Sequence, residues 1–217
     1  MISENNNSGK SIKGTKDINE LINFLESSIL FKNSNKDTLK HIAEASEIIK
    51  YKIGFGLTDK NIIQSRILII LQGEARLIGY SNNEKTTVTK LRQGEVIGLS
   101  SLLRCSPCEE ISASTEIIAL SIPDKKIVEL YQNDQAFRKI CDNTLFKSEI
   151  LGLVNELIKF SPTRNIDIQS AFKDLIDSSE ILQDTNNLKD ISQNKILFVA
   201  SNNIKGKQIG EEIDRNF

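Results

Sequence analysis

Seven short apolar runs crowd into the stretch 48–122: Ile48 to Ile53, Ile62 to Ile63, Ile67 to Leu71, Ala75 to Tyr80, Thr86 to Leu91, Ile111 to Ala113 and Ile117 to Ile122. They are rich in β-branched residues and separated by glycine, asparagine or charged turns. Runs this short, returning this often, predict an antiparallel barrel or sandwich. Turn chemistry agrees at three places. Gly54-Phe55-Gly56 breaks the first run, Gln72-Gly73-Glu74 links two others, and Ser81-Asn82-Asn83-Glu84 supplies the positive φ values of a tight hairpin.

Helical spacing flanks this region on both sides. Ile18, Leu21, Ile22, Leu25 and Ile29 recur on one helical face between Asp17 and Leu30, and a second helix is expected after Asn35, whose side chain can cap it. Past Pro123, which suits a helix start, residues 124–131 read as a short helix. Residues 134–160 read as one long, interruptible helix with Phe137, Ile140, Cys141, Leu145, Ile150, Leu151 and Val154 along one stripe. Such a stripe faces the barrel or a second copy of itself, so a homodimer through this helix is one expectation. The segment 161–217 holds an amphipathic helix around Ala171 to Leu182 and a strand-like run Ile196 to Ala200, too little for a second core.

Three divisions follow: a disordered tail over 1–16, a folded unit over 17–160, and a linker or extension over 161–217. No apolar run approaches the roughly 20 residues needed to cross a bilayer. The first residues lack the apolar body of a secretion signal, so a cytoplasmic protein without direct membrane insertion is expected. With 28 Lys and Arg against 29 Asp and Glu, no global field draws the chain onto nucleic acid. Three cysteines, an odd number, do not describe a disulfide-stapled scaffold, and one histidine with three scattered cysteines does not describe a zinc site. Neither a metal nor catalytic residues are assigned.

The run Ile69-Ile70-Leu71-Gln72-Gly73, the stretch from Leu91 through Gly94 to Gly98, and Ser101-Leu102-Leu103 before Pro107 follow Phe31 and Gly54 in order. This order resembles the cyclic nucleotide-binding domain family, of which the catabolite activator is a member, over about 31–160. The resemblance implies an α+β fold: a mainly antiparallel β-barrel, the double-stranded β-helix or jelly roll, flanked by amino- and carboxy-terminal helices. It also implies a phosphate cassette, in which a glutamate after a glycine accepts from the ribose and an arginine after the loop proline pairs with the cyclic phosphate. Gly98 matches the glycine here, but Leu99 stands at the glutamate position and Cys108 at the arginine position, with Glu109 and Glu110 next. Two carboxylates beside a phosphate pocket disfavour an anion. Leu99 implies a pocket that is filled, shrunken or adapted. Ser100 and Ser101 are left to meet any cyclic nucleotide or other small anion, with Arg104 the one cation of the loop, read as solvated on the loop's outer side.

The cassette from Ile97 to Glu109, followed by Ile111-Ser112-Ala113-Ser114-Thr115-Glu116, is similar to the amino-terminal regulatory domain of cyanobacterial ABC exporters of the bacteriocin or toxin secretion type. That resemblance implies a non-enzymatic regulatory or sensor domain with a degenerate cassette, partnered by the membrane and ATPase subunits of an exporter. In this reading Leu99, Leu102 and Leu103 touch the long helix. Two alternatives stand beside it: a cAMP- or cGMP-responsive regulator of the catabolite-activator type, and a structural dimerisation module. The first needs a basic reading head, yet 161–217 carries seven Lys and Arg against nine Asp and Glu, a net of −2. Cys105 and Cys108 have redox-motif spacing but lack its strand-to-helix context, leaving a buried thiol beside the loop. Glu109 and Glu110, adjacent on an extended segment, point to opposite faces.

Overall fold

Continuous apolar runs such as Ile67 to Leu71 form strands covered on both faces, and that is where the centre of this molecule lies. A computed structural model describes residues 10–11, 17–81, 84–160, 166–182, 191, 194–200 and 206–214. In chain order the elements are β1 (Lys10–Ser11), α1 (Ile18–Ser27), α2 (Lys36–Ala45), β2 (Glu47–Tyr51), β3 (Gly56–Thr58), β4 (Arg66–Gln72), β5 (Ala75–Ser81) and β6 (Glu84–Leu91). They continue with β7 (Val96–Ile97), α3 (Leu99–Leu103), β8 (Ile111–Ala113), β9 (Ile117–Pro123), α4 (Asp124–Asn133), α5 (Gln135–Asp142), α6 (Lys147–Phe160) and α7 (Ile168–Ser178). The α+β class with antiparallel sheets is as the sequence implies.

The strands make two antiparallel sheets, ordered β1-β2-β9-β4-β7 and β3-β8-β5-β6. No pairing among the described residues closes them into one cylinder. Their inner faces share one core, with Leu68, Ile70, Ile117 and Ala119 from the first sheet against Leu57, Leu77, Ile111 and Ala113 from the second. The other face of the first sheet, carrying Ile67, Ile69, Leu120 and Ile122, is covered by α1, α2, α4 and α5. There Phe31 stacks on Phe137 with ring centroids 5.4 Å apart. α6 and α7 add Ile150, Leu151, Val154, Ile168 and Phe172 to the inter-sheet core, so packing continues past Phe160.

Capping fixes the helix starts: Asp17 accepts from the Asn19 and Glu20 N–H groups, and Asn35, as the sequence suggests, accepts from the Thr38 N–H. The long helix is divided into α5 and α6. Asn143 Nδ2 and Thr144 Oγ1 donate to the carbonyls of Lys139 and Ile140, drawing them away from the next helical turn. Ile62 and Ile63 form no strand. The Asp59 carboxylate accepts from the Asn61 N–H and folds a loop that leaves Ile62 exposed. The strands β3 and β7, each too short to show a period, take up the pairing instead. Of the expected tail, Lys10–Ser11 pair with β2. The rest of 1–16, the Asn82-Asn83 turn and Ser161-Pro162-Thr163 lie outside the described residues. The helix expected around 171–182 runs over Ile168–Ser178, capped by Asp167. From the run 196–200, Phe198 makes one bridge to Glu212. No helix among the described residues is long and apolar enough to cross a membrane.

Gly73 turns β4 into β5 at φ +97, and a Cβ there would stand 2.2 Å from the Glu116 carbonyl oxygen. That is backbone, which cannot swing aside. Gly73→Ala is expected to lose about 1–3 kcal/mol of unfolding free energy, measured by urea denaturation, whereas Gly94→Ala, at φ +85 but with nothing within 4 Å, is expected to lose less.

Candidate functional site

Gly98, at φ +89, swings the chain from β7 into the five-residue α3 and brings its own backbone close to Ile67. Leu99 is buried in the cluster that also holds Phe137 and Cys141 of α5, and Leu102 and Leu103 pack on that cluster. The apolar side of α3 therefore faces α5. Its polar side faces α6. Ser100 and Ser101 are each 2% exposed, with Ser100 Oγ 2.5 Å from Ser148 Oγ.

Cys108, at the position where the resemblance places a phosphate-anchoring arginine, turns its thiol inward. Its Sγ lies 3.4 Å from Ser100 Oγ and 3.3 Å from Ser101 Oγ, and its N–H donates to Ser101 Oγ at 3.3 Å. Burial pushes the Cys108 thiol up, and that of Cys141 up to about 12. Both remain neutral, weakly reactive thiols. Cys105 is exposed, with φ +51.

Arg104 departs from expectation. Instead of being solvated outside the loop, its Nε donates to Glu149 Oε1 at 2.6 Å, with the two side chains 17% and 6% exposed. One residue before Ser148 the same helix end is fastened again: Lys147 Nζ donates to Glu95 Oε1 at 2.5 Å, and Glu95 Oε2 accepts the Arg92 N–H. Lys147, Ser148 and Glu149 thus fasten the first turn of α6 to the β6–β7 turn and to α3. Sequence reasoning did not place these three in the site. They carry no local signal, since three polar residues between apolar positions four apart, Phe146 and Ile150, are what any amphipathic helix shows.

Glu109 and Glu110 do point apart, as alternation requires. Glu110 meets Tyr80 Oη at 2.5 Å and Lys85 Nζ at 2.6 Å. Glu109 is 5% exposed, and its Oε1 has no hydrogen-bond partner. Burial raises its pKa to about 7, against the opposing pull of the Gly98 N–H and the Ser148 hydroxyl. Thr58 Oγ1 donates to the Glu109 carbonyl and accepts from the Ile111 N–H, holding this segment against β3. The candidate residues therefore divide. Gly98, Leu99, Ser100, Ser101, Arg104, Cys108 and Glu109 gather beneath α5 and α6, while Glu110 belongs to the opposite wall. Within the gathered set the one cation is neutralised by Glu149, and the hydroxyls and thiol satisfy one another.

No protein-family model matches the chain, and no curated protein does. Solved structures do. PfPKA-R (141-441), bound to cAMP, shares 22% identity at a TM-score of 0.52, covering 75% of this chain and 54% of that one. The regulatory domain of Toxoplasma gondii PKA with cAMP shares 15% at 0.53, covering 75% and 58%. The regulatory subunit of a cAMP-independent protein kinase A from Trypanosoma cruzi, bound to guanosine, shares 15% at 0.51, covering 74% and 50%. These likenesses show a shared fold, and this chain spans 50% to 58% of the length of these three structures.

Ionising Glu109 gives the site a pH signature. Below pH 4.5, its ordinary value, the carboxyl is protonated in both folded and unfolded chains and costs nothing. From there to about pH 7 the folded chain holds a proton that the unfolded chain has lost, so stability falls as pH rises and levels off above about 7. Denaturation of wild type and Glu109→Gln across this range is expected to give a difference that grows to about 3 kcal/mol in favour of Gln by roughly pH 8.

Proposed function

We propose that this chain is a non-enzymatic regulatory module on the cyclic nucleotide-binding fold, whose degenerate cassette is closed by its own α6 in place of a nucleotide. The observation that carries this reading is the Arg104–Glu149 ion pair. An incoming phosphate would have to take Arg104 from Glu149 and then sit beside Glu109, with Cys108 offering no charge in return. Breaking a buried pair leaves an uncompensated charge, typically at a cost of about 3–5 kcal/mol. A nucleotide phosphate held without a dedicated arginine has little with which to offset that.

The signal then passes through α6. A contact that binds better when α6 is lifted shifts the balance between closed and open forms, and no other coupling is required. The likeness of the cassette to regulatory domains of ABC-type exporters supports exporter subunits as the source of that contact. α6 already directs Ile150, Leu151 and Val154 into its own core, so the reading does not need a twin helix.

Calorimetric titration with cyclic AMP, cyclic GMP and cyclic dinucleotides tests the proposal. No saturable heat is expected from the wild-type chain. Binding at about micromolar Kd, which corresponds to roughly 8 kcal/mol, would overturn closure by α6 and favour a direct receptor.

A further inference from the structure

The inner face of the first sheet changes character along its length. On β4, Ile70 and Leu68 point between the sheets, and by alternation so does Arg66. On β9, Ala119 is followed on that face by Ser121, which pairs with Glu47 of β2 on one side and Leu68 on the other. Arg66 Nε donates to Ser121 Oγ at 2.6 Å and its Nη2 to the Ser121 carbonyl at 3.2 Å, with Glu47 Oε2 at 3.4 Å. An arginine, a fully buried serine and a glutamate thus stand where a sandwich ordinarily continues its apolar core.

Beside them the two sheets enclose an open cavity of about 730 Å³, within the range of small-molecule sites. Tyr51, Phe55, Leu57 and Leu68 give it an apolar floor, and the rings of Tyr51 and Phe55 lie 5.0 Å apart. Its far wall is Tyr80 with Lys85 and Glu110, the acid already held by both neighbours. Lys60 Nζ lies 3.8 Å from the Tyr80 ring centroid and makes no ion pair among the described residues. No residue of α3 lines the cavity, and neither do Arg104, Cys108 or Glu109.

We propose that this open end of the sandwich binds a small amphipathic monocarboxylate, its head between Arg66 and Lys60 and its aliphatic or aromatic body on Tyr51, Phe55, Leu57 and Leu68. Lys60, Arg66 and Lys85 line the cavity with Asp59 and Glu110. Glu110 takes Lys85 and Glu47 lies on Arg66, which leaves Lys60 as the lining cation without an ion pair among the described residues and so a place for one negative charge. A phosphate dianion would carry its second charge toward Asp59 and Glu110. A neutral apolar molecule would leave the two cations without a new partner. The site is separate from the α6-closed cassette and does not depend on that cassette being degenerate.

The test is titration of the full chain with octanoate and 3-phenylpropionate, read by calorimetry and by NMR shifts at Leu57 and Leu68. One saturable site is expected for at least one carboxylate, with octanol and inorganic phosphate each about tenfold weaker or worse, the effect of one charge-assisted hydrogen bond. Lys60→Ala, at an exposed position that leaves the core intact, and Arg66→Met are each expected to weaken the carboxylate by about tenfold. Absence of saturable binding by both carboxylates, octanol binding as tightly as octanoate, or affinity unchanged in Lys60→Ala would overturn the assignment. Cyclic nucleotide binding, should it occur, would leave this result untouched.

Discussion

Arg104 and Glu149 come from segments 45 residues apart and meet at 2.6 Å out of contact with most of the solvent. An ion pair so placed adds little net stability over apolar groups of the same volume, but either partner alone would be a buried charge without compensation. The consequence is positional. α6 can sit on α3 in the one register that brings Glu149 to Arg104, and that register also brings Ser148 to Ser100 and Lys147 to Glu95. Leu151, Ile168 and Val88 close around Gly79, where a Cβ would stand 2.6 Å from the Val88 side chain and 2.8 Å from that of Ile168. The seating of α6 on α3 and the packing of the second sheet are therefore one structural event.

Glu109 works against that event. It is a buried carboxylate with an unpartnered oxygen among the described residues, and burial raises its pKa to about 7, so near neutral pH the folded chain carries a cost for desolvating it.

Much of the architecture was legible in the chain because its signals are local. The strand at Ile67 to Leu71 announced itself by an unbroken apolar run between turns, the first helix by apolar residues three and four apart after Asp17, and the second by the capping side chain of Asn35. Ile62 and Ile63 misled because two β-branched residues in a row look the same in an exposed loop as in a strand. The three-residue β3 and two-residue β7 were invisible because neither is long enough to express a period. The helix over 134–160 read as interruptible, but the place of the division was hidden because apolar spacing runs on through Leu145 and Phe146, while the interruption is made by Asn143 and Thr144 side chains bonding backward. At the site, a cysteine, Cys108, where the resemblance expects an arginine could be read directly. The partner of Arg104 could not, since nothing near it in sequence points forward to Glu149, nor does any period reveal that Arg66 and Ser121 face inward together.

Native-state hydrogen exchange of α6 reports most directly on whether the cassette is shut. If α6 closes it, amides over Ile150 to Val154 exchange as slowly as those of Leu77 and Ile78 in β5, opening only when the sandwich itself opens. Exchange of α6 at rates far above those of β5, with the sheet still protected, would show a cassette that stands open in the resting molecule.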